Sequence, residues 1–460
     1  MRNPQSAIRI WGGVVTAWDS ARVASALGVP GPRGLRFTGV STDTRHLTPG
    51  ALFVALTGDR FDAHAFLGQA RAQGAAAAVV RQGTPPVDGL PLFEVADTLV
   101  ALGLLARARR RLFPPGSPVV GVTGSSGKTS TKEMIRAVLA TKYRVHATGG
   151  NLNNLVGVPL TILAAPADAE ALVIEAGASV PGEIPRLRSV IEPTIAVISN
   201  VGYAHVAGFG SLAGVMQEKL ALVDGAPVAV VGTDPPELAV EARRRARTVV
   251  AGTGRDADVR PDAAELDDGG HPRLTWRRHT VTLPVVGFHQ IENAMLALAV
   301  GREVGADPAR AIAALAGVRL PGGRGAMLEL GDLTVIDDTY NANPTSLRWA
   351  LKLAQWLAER RRRPLAVVVG SMLELGPESA RLHALAAAEI AALDPALVVA
   401  VGEFVPAFEP YRTALGRRLL MAPDAGALGP RLKAALTGNE IVLLKASRGV
   451  ALERVLPHLN

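Results

Sequence analysis

The chain has 460 residues, 48% hydrophobic and 20% charged; this excludes a disordered protein and, at roughly 100–200 residues per domain, points to three domains. It contains no cysteine, so a disulfide framework, a thiolate metal site and a cysteine nucleophile are all excluded. The net charge of +8 fits a nucleic-acid partner or a cleft for small polyanions equally well.

Met1 to Gly13 carries an early Arg2 but no continuous apolar leader segment, and no run of about 18 apolar residues follows, so a cytoplasmic protein without a membrane span is expected. Up to about residue 112 short strands and helices alternate, ending in the helical run Leu99 to Leu112 and a hinge at Pro114, Pro115 and Gly116. From Pro118 the pattern is a strand to Gly124, a helix to about Ala140, then strands Tyr143 to Ala147, Ala171 to Glu175, Thr194 to Ser199 and Pro227 to Val231. Apolar strands separated by helical segments imply a mostly parallel sheet covered on both faces. Asp258 to Val286 reads as antiparallel hairpins before a helix His289 to Val304, and Pro321, Gly322 and Gly323 mark a second hinge. Strands near Leu333 to Ile336, Leu365 to Val369, Leu397 to Val401 and Ile441 to Leu444 follow, with a helix Ser346 to Arg361 striped by Leu347, Ala350, Leu351, Ala354 and Leu357. The expected fold is therefore α/β in three domains, 1–113, 114–320 and 321–460. The clusters Arg109 to Arg111, Arg243 to Arg245 and Arg360 to Arg363 end helical patterns without interleaved aromatics and read as solvated faces.

Between Val119 and Thr131 the apolar run breaks into Gly121, Val122, Thr123, Gly124, Ser125, Ser126, Gly127, Lys128, Thr129 and Ser130. Glycines let backbone N–H groups converge on an anion, Lys128 adds a point charge, and a Thr129 hydroxyl can reach a phosphate-bound Mg²⁺. The strict Walker spacing is missed, because Val122 stands where that pattern has glycine.

Further polar groups close later strands. Thr148 to Asn154, including Asn151 and Asn154, offers amides to a substrate or forms a polar turn. Glu175 ends a buried strand, at the edge where parallel sheets bind ligands. His205 ends the next one, and alone reads as a structural histidine. Lys219, in the helix after Gly210 and Ser211, reads by spacing as an ordinary helix lysine. Asp337, Asp338, Thr339, Tyr340, Asn341, Ala342, Asn343 and Pro344 put two carboxylates and two amides before a helix, which favours a binding loop over a bare turn and cap.

In this order the loop, Gly-Asn-x-Asn-Asn at 150–154, Glu175, Asn-x-Gly-x-x-His at 200–205, Lys219, Gly-x-His-x-x-x-Asn at 287–293, Gly323-Arg324 and Asp-Asp-x-Tyr-Asn-Ala-Asn-Pro at 337–344 resemble the Mur ligases, ATP-dependent amide-forming enzymes of peptidoglycan synthesis. The resemblance implies a small N-terminal α/β UDP-substrate domain, a central P-loop ATPase domain with a parallel sheet, and a C-terminal Rossmann-like domain for the incoming amine. Gly124 to Ser130 would cradle ATP, with Lys128 and Thr129 on the β- and γ-phosphates. Thr129, Glu175, His205 and a carbamylated Lys219 would serve Mg²⁺, two ions being expected. Asn293 would face adenine, and Arg324 and Asp338 would contact ATP.

Tyr340 to Pro344, Ser371 to Gly376, and Ser41, Thr42, Asp43, Thr44 and Arg45 are similar to members that add D-alanyl-D-alanine (D-Ala-D-Ala) to a UDP-N-acetylmuramoyl (UDP-MurNAc) tripeptide. The Asp-Asn-Pro-Arg signature of diamino-acid-adding members is missing, though such an enzyme stays the alternative. By this resemblance Ser41 to Arg45 would lie near uridine, Asn151 and Asn154 near substrate, and Tyr340, Asn341 and Asn343 near the dipeptide; a monomer without nucleic acid is expected. Three segments depart from the family pattern, one being Gly232-Thr233-Asp234, where the family has Asn-x-Asp. Phe61 to Phe66 replaces Phe-Asp-Gly-His-Asp-Phe, and Lys445-Ala446-Ser447-Arg448 replaces Lys-Gly-Ser-Arg.

Overall fold

The uninterrupted apolar runs become strands buried along their length, among them Val119–Thr123, Ala171–Glu175, Leu365–Gly370, Leu397–Val401 and Ile441–Lys445. A computed structural model describes residues 18–58, 61–426 and 428–459. Met1 to Gly13, read above for a leader, lies outside them. No described helix is long and apolar enough to cross a membrane.

The chain forms two compact units, whose boundary runs through strands Val119–Thr123 and Ile195–Ile198. The first comprises the described residues up to 122 together with 142–178 and 182–196. Its small parallel sheet orders the strands Val40–Ser41, Leu52–Val54, Ala77–Arg81 and Leu92–Val95. Helix Thr98–Arg110, N-capped by Asp97, packs on helices Gly157–Leu163 and Glu183–Ile191. Beside them strands Val145–Ala147, Ala171–Glu175 and Val119–Thr123 pair in parallel, with Glu175 opposite Val122.

Arg109, Arg110 and Arg363 depart from the solvated-face reading, while Arg111, Arg243, Arg244, Arg360 and Arg362 are exposed as expected. Arg109 is buried, its guanidinium donating to the Ala165 and Pro166 carbonyls at 3.0 and 3.2 Å and lying 4.9 Å from the Phe113 ring centre. Arg110 donates to the Ile191 and Glu192 carbonyls, and Arg363 binds the Asn439 and Glu440 carbonyls and the Thr334 hydroxyl. These side chains tie off strand and helix ends by satisfying carbonyls that would otherwise be buried alone.

The second unit holds 123–141, 179–181 and everything described after 196. Helix Lys128–Leu139 packs on helix His289–Glu303, which is buried nearly all round and so shows no amphipathic stripe. Asp258 to Val286 contains a three-stranded antiparallel sheet of Ala263–Leu266, Pro272–Trp276 and His279–Thr282.

The last third forms a six-stranded sheet ordered Ala326–Leu330, Leu333–Asp338, Ile441–Lys445, Leu365–Gly370, Leu397–Val401 and Leu419–Ala422. All neighbours but the first pair run parallel. One apolar cluster covers each face. The last strand in sequence thus lies between two earlier ones, and three strand ends open at one carboxyl edge, the place where such sheets bind ligands. Helix Pro344–Arg361 starts two residues earlier than its apolar stripe suggested, because Asn343 and Ser346 form a reciprocal capping box and Pro344 takes the first turn.

Candidate functional site

The phosphate loop owes its shape to two glycines. Gly124 has φ +148° and an added Cβ there would lie 2.0 Å from Ser199 Oγ; Gly127 has φ +78° and a Cβ would lie 2.6 Å from Asn293 Oδ1. Neither position tolerates a side chain. Lys128 curls back and donates to the Gly124 carbonyl at 2.8 Å, at the N-terminus of helix Lys128–Leu139, where the helix dipole favours an anion. Thr129 and Ser130 are buried in its first turn.

The segment after strand Ile195–Ile198 braces this loop. Ser125 N–H donates to the Asn200 carbonyl at 3.0 Å, Ser126 N–H to Asn200 Oδ1 at 2.9 Å, and Ser199 Oγ to the Ser126 carbonyl at 2.5 Å. The sequence placed Ser199 and Asn200 at this strand end but assigned a role only to His205; their bracing of the loop follows from strand Ile195–Ile198 lying next to Val119–Thr123 in the sheet, which spacing along the chain does not reveal. His205 itself has φ +55°, and its Nδ1 lies 2.5 Å from Glu374 Oε2. That contact holds the Glu374 carboxyl below its ordinary value. Lys219 is 1% exposed, with Nζ 5.6 Å from the Phe209 ring centre.

Asn293 is buried with its amide committed inward. Thr131 Oγ1 donates to its Oδ1 at 3.0 Å, and its Nδ2 donates to Gln290 Oε1 at 2.9 Å. Gln290 Nε2 in turn donates to His289 Nε2 at 3.0 Å, so the neutral ring carries its proton on Nδ1. Burial lowers the His289 pKa to about 4.

In the last third, Asp338 lies 2.5 Å from the buried Lys445 ammonium. Arg324 stacks 3.7 Å over the Tyr340 ring, an arrangement set by Tyr340 N–H donating to the Gly323 carbonyl. Asn341 turns its Oδ1 to the next residue's N–H. Asn343 accepts from Ser346 N–H through Oδ1 and donates through Nδ2 to Ser126 Oγ at 3.0 Å. A residue 217 positions away is thereby bonded to the phosphate loop.

In the first unit Glu175 is buried and accepts from Asn153 Nδ2 at 2.8 Å, while its N–H donates to Thr148 Oγ1. Asn154 Oδ1 accepts from the Val156 and Gly157 N–H groups, and Asn151 is exposed. Asn153, which the sequence offered only as one of several loop amides, is the one that touches the carboxylate. Asp43 caps a short turn and pairs bidentately with the exposed Arg45, which lowers its pKa; the Ser41 hydroxyl donates to the Asp43 carbonyl, Thr44 is buried, and Thr42 is partly buried. His64 is held by Asp62 on one nitrogen and accepts Arg81 N–H on the other. Among the described residues no three His, Asp or Glu side chains gather into a metal cage.

Three family profiles match in series: Mur ligase family, catalytic domain, over 36–110; Mur ligase middle domain over 122–301; and Mur ligase, glutamate ligase domain, over 323–448. The chain is 37% identical over 429 residues to a UDP-N-acetylmuramoyl-tripeptide–D-alanyl-D-alanine ligase of Bacillus subtilis, covering 92% of this chain and 93% of that one. Its fold is similar to that of MurF from Acinetobacter baumannii, with TM-score 0.86, 30% identity and coverage of 97% and 99%. It is also similar to MurF ligase from Thermotoga maritima in complex with ADP, with TM-score 0.78, 30% identity and coverage of 92% and 96%.

Proposed function

The chain belongs to the Mur ligase family, and from that footing we propose that it is an ATP-dependent ligase joining D-Ala-D-Ala to UDP-MurNAc-tripeptide. Residues 1–113 take the UDP-linked substrate, 114–320 the ATP, and 321–460 the incoming dipeptide. The observation that carries the reading is the Ser126–Asn343 hydrogen bond, which joins a phosphate loop to the loop assigned to the amine.

A carboxylate is a poor electrophile, so the γ-phosphoryl of ATP passes to the substrate's terminal carboxylate and makes an acyl phosphate. The free amine of the dipeptide then attacks that carbonyl, an amide C–N bond forms, inorganic phosphate leaves, and the amine gives up a proton. Lys128 and the N–H groups opening helix Lys128–Leu139 face the phosphates and offset their charge. Gly124 and Gly127 let the backbone approach, and Asn293, its amide spent on Thr131 and Gln290, holds the loop from beneath. Arg324 and Asp338 complete the ATP contacts from the last third. Tyr340 and Asn341 join Asn343 on the dipeptide side, and Ser41 to Arg45, Asn151 and Asn154 serve the UDP-linked substrate.

The Thr129 hydroxyl and the buried Glu175 carboxylate are oxygen donors of the kind Mg²⁺ takes; Thr129 would serve the phosphate-bound ion, and Glu175 and His205 a second one. These donors fit an ion that arrives with the nucleotide and takes most of its ligands from phosphate and water. When bound, Mg²⁺ neutralises charge on the transferring phosphoryl group. Lys219 adds CO₂ and releases a proton to become a carbamate, which turns a buried cation into an anionic ligand. The setting is cytoplasmic precursor synthesis, which supplies the wall for growth, shape and division; the positive net charge suits nucleotide substrates.

The test is phosphate release by purified protein given ATP, Mg²⁺ and UDP-MurNAc-tripeptide with D-Ala-D-Ala, a diamino acid or glutamate as amine. Release is expected with D-Ala-D-Ala alone. Release with the diamino acid instead would move the assignment to that member of the family, and release without any amine would defeat it.

A further inference from the structure

The geometry points to Lys445 and Ser447 as positioning residues that hold two separate site loops in register, with the Ser447 hydroxyl as the pin between them. Strand Ile441–Lys445 lies between Leu333–Asp338 and Leu365–Gly370, and the loops that leave both neighbours flank its end. Along this extended end side chains alternate in direction. Ala446 faces the core opposite Gly370, where an added Cβ would lie 2.9 Å from the alanine methyl. Residue 446 can therefore carry a side chain because residue 370 does not.

Lys445 and Ser447 point the other way, and both are buried, at 1% and 3% exposure. The Lys445 ammonium lies 2.5 Å from Asp338 Oδ2 and donates to the Asn341 carbonyl at 2.9 Å. Ser447 Oγ donates to the Ala342 carbonyl at 3.2 Å and accepts the Leu373 N–H at 2.9 Å; its own N–H donates to the Ser371 carbonyl at 3.1 Å. One hydroxyl thus joins the 338–343 loop to the 371–374 loop. Beyond those bonds each loop makes a reach of its own, Asn343 to Ser126 and Glu374 to His205. Lys445 fixes the near end of the first loop, and Ser447 fixes its far end against the second. Removing the hydroxyl unpins the dipeptide side and leaves Lys128 and Gly124 untouched.

The assignment of the dipeptide side rests on the function proposed above, so the experiment reads two quantities, one of them independent of activity. In Ser447→Ala, amide hydrogen exchange at Leu373 accelerates at least about tenfold, while strand Leu365–Gly370 keeps its protection. In the same variant the KM for D-Ala-D-Ala rises about tenfold and the KM for ATP, which the same loop reaches through Asp338 and the Asn343–Ser126 bond, rises by less, about threefold at most; Ser447→Thr, which restores a hydroxyl, recovers most of both effects. Should Ser447→Ala not fold, Ser447→Cys, similar in size but a weaker donor and acceptor, is read the same way. Unchanged exchange at Leu373 overturns the pin, as does a loss that falls equally on ATP and dipeptide. Wild-type protein without dipeptide-dependent turnover would sink the functional reading instead, with the exchange result still deciding the pin.

Discussion

Lys219 shows what a single side chain can hide. Its position in helix Leu212–Leu220 is that of any helix lysine, yet it is 1% exposed. On the proposed function, conversion to a carbamate would replace this buried cation by an anion that a metal welcomes. Lys219→Ala is expected to lower turnover by about 10²–10³-fold, the scale of one electrostatic group in a phosphoryl site. Formate or acetate should then restore part of the rate, measured as phosphate release with and without the added carboxylate. Full activity in that variant would remove the carbamate. Burial is the part that residue spacing does not disclose; it comes from how the helix packs, with the Phe209 ring 5.6 Å from the ammonium.

Among the elements, the turn Thr437 to Glu440 is the one that launches the pinned strand Ile441–Lys445. Glu440 is buried and accepts from the N–H and hydroxyl of Thr437 and from the N–H groups of Gly438 and Asn439. Burial works to raise its carboxyl, but the donors of Thr437 and Gly438 outweigh it and hold the pKa below 4.5. A carboxyl lowered on folding stabilises the fold above its unfolded value and loses that contribution as pH falls through the folded one. Glu440→Gln should therefore cost about 1–3 kcal/mol at pH 7, with the gap to wild type closing in strongly acidic buffer. Denaturant titration at both pH values checks it, and a gap of equal size at each would contradict the account. Strand interiors and the phosphate loop were legible because their signal is local: an apolar run, or glycines next to Lys128. Arg109 was not, since the carbonyls that bury it lie 56 and 57 residues away. The same holds for Asn153, which reaches Glu175 across 22 residues, and for the cap that starts helix Pro344–Arg361 two residues early.

For the molecule as a whole, the Ser126–Asn343 bond means that whatever the phosphate loop holds bears on the loop before helix Pro344–Arg361. Such coupling is reciprocal. Asn343→Ser keeps an N-cap but deletes the Nδ2 donor, and Ser126→Ala deletes its acceptor. The two changes should be non-additive by about 0.5–1.5 kcal/mol in the affinity for a nucleotide measured with and without D-Ala-D-Ala. Additive effects would show that the bond carries no coupling. Sheet order has another consequence, one that concerns biosynthesis. Ile441–Lys445 sits between strands that emerge from the ribosome long before it. Leu333–Asp338 and Leu365–Gly370 must therefore wait, side by side with a gap, until the final strand is made. Translation halted ahead of residue 441 would yield two exposed strand edges that invite a chaperone or a neighbouring chain.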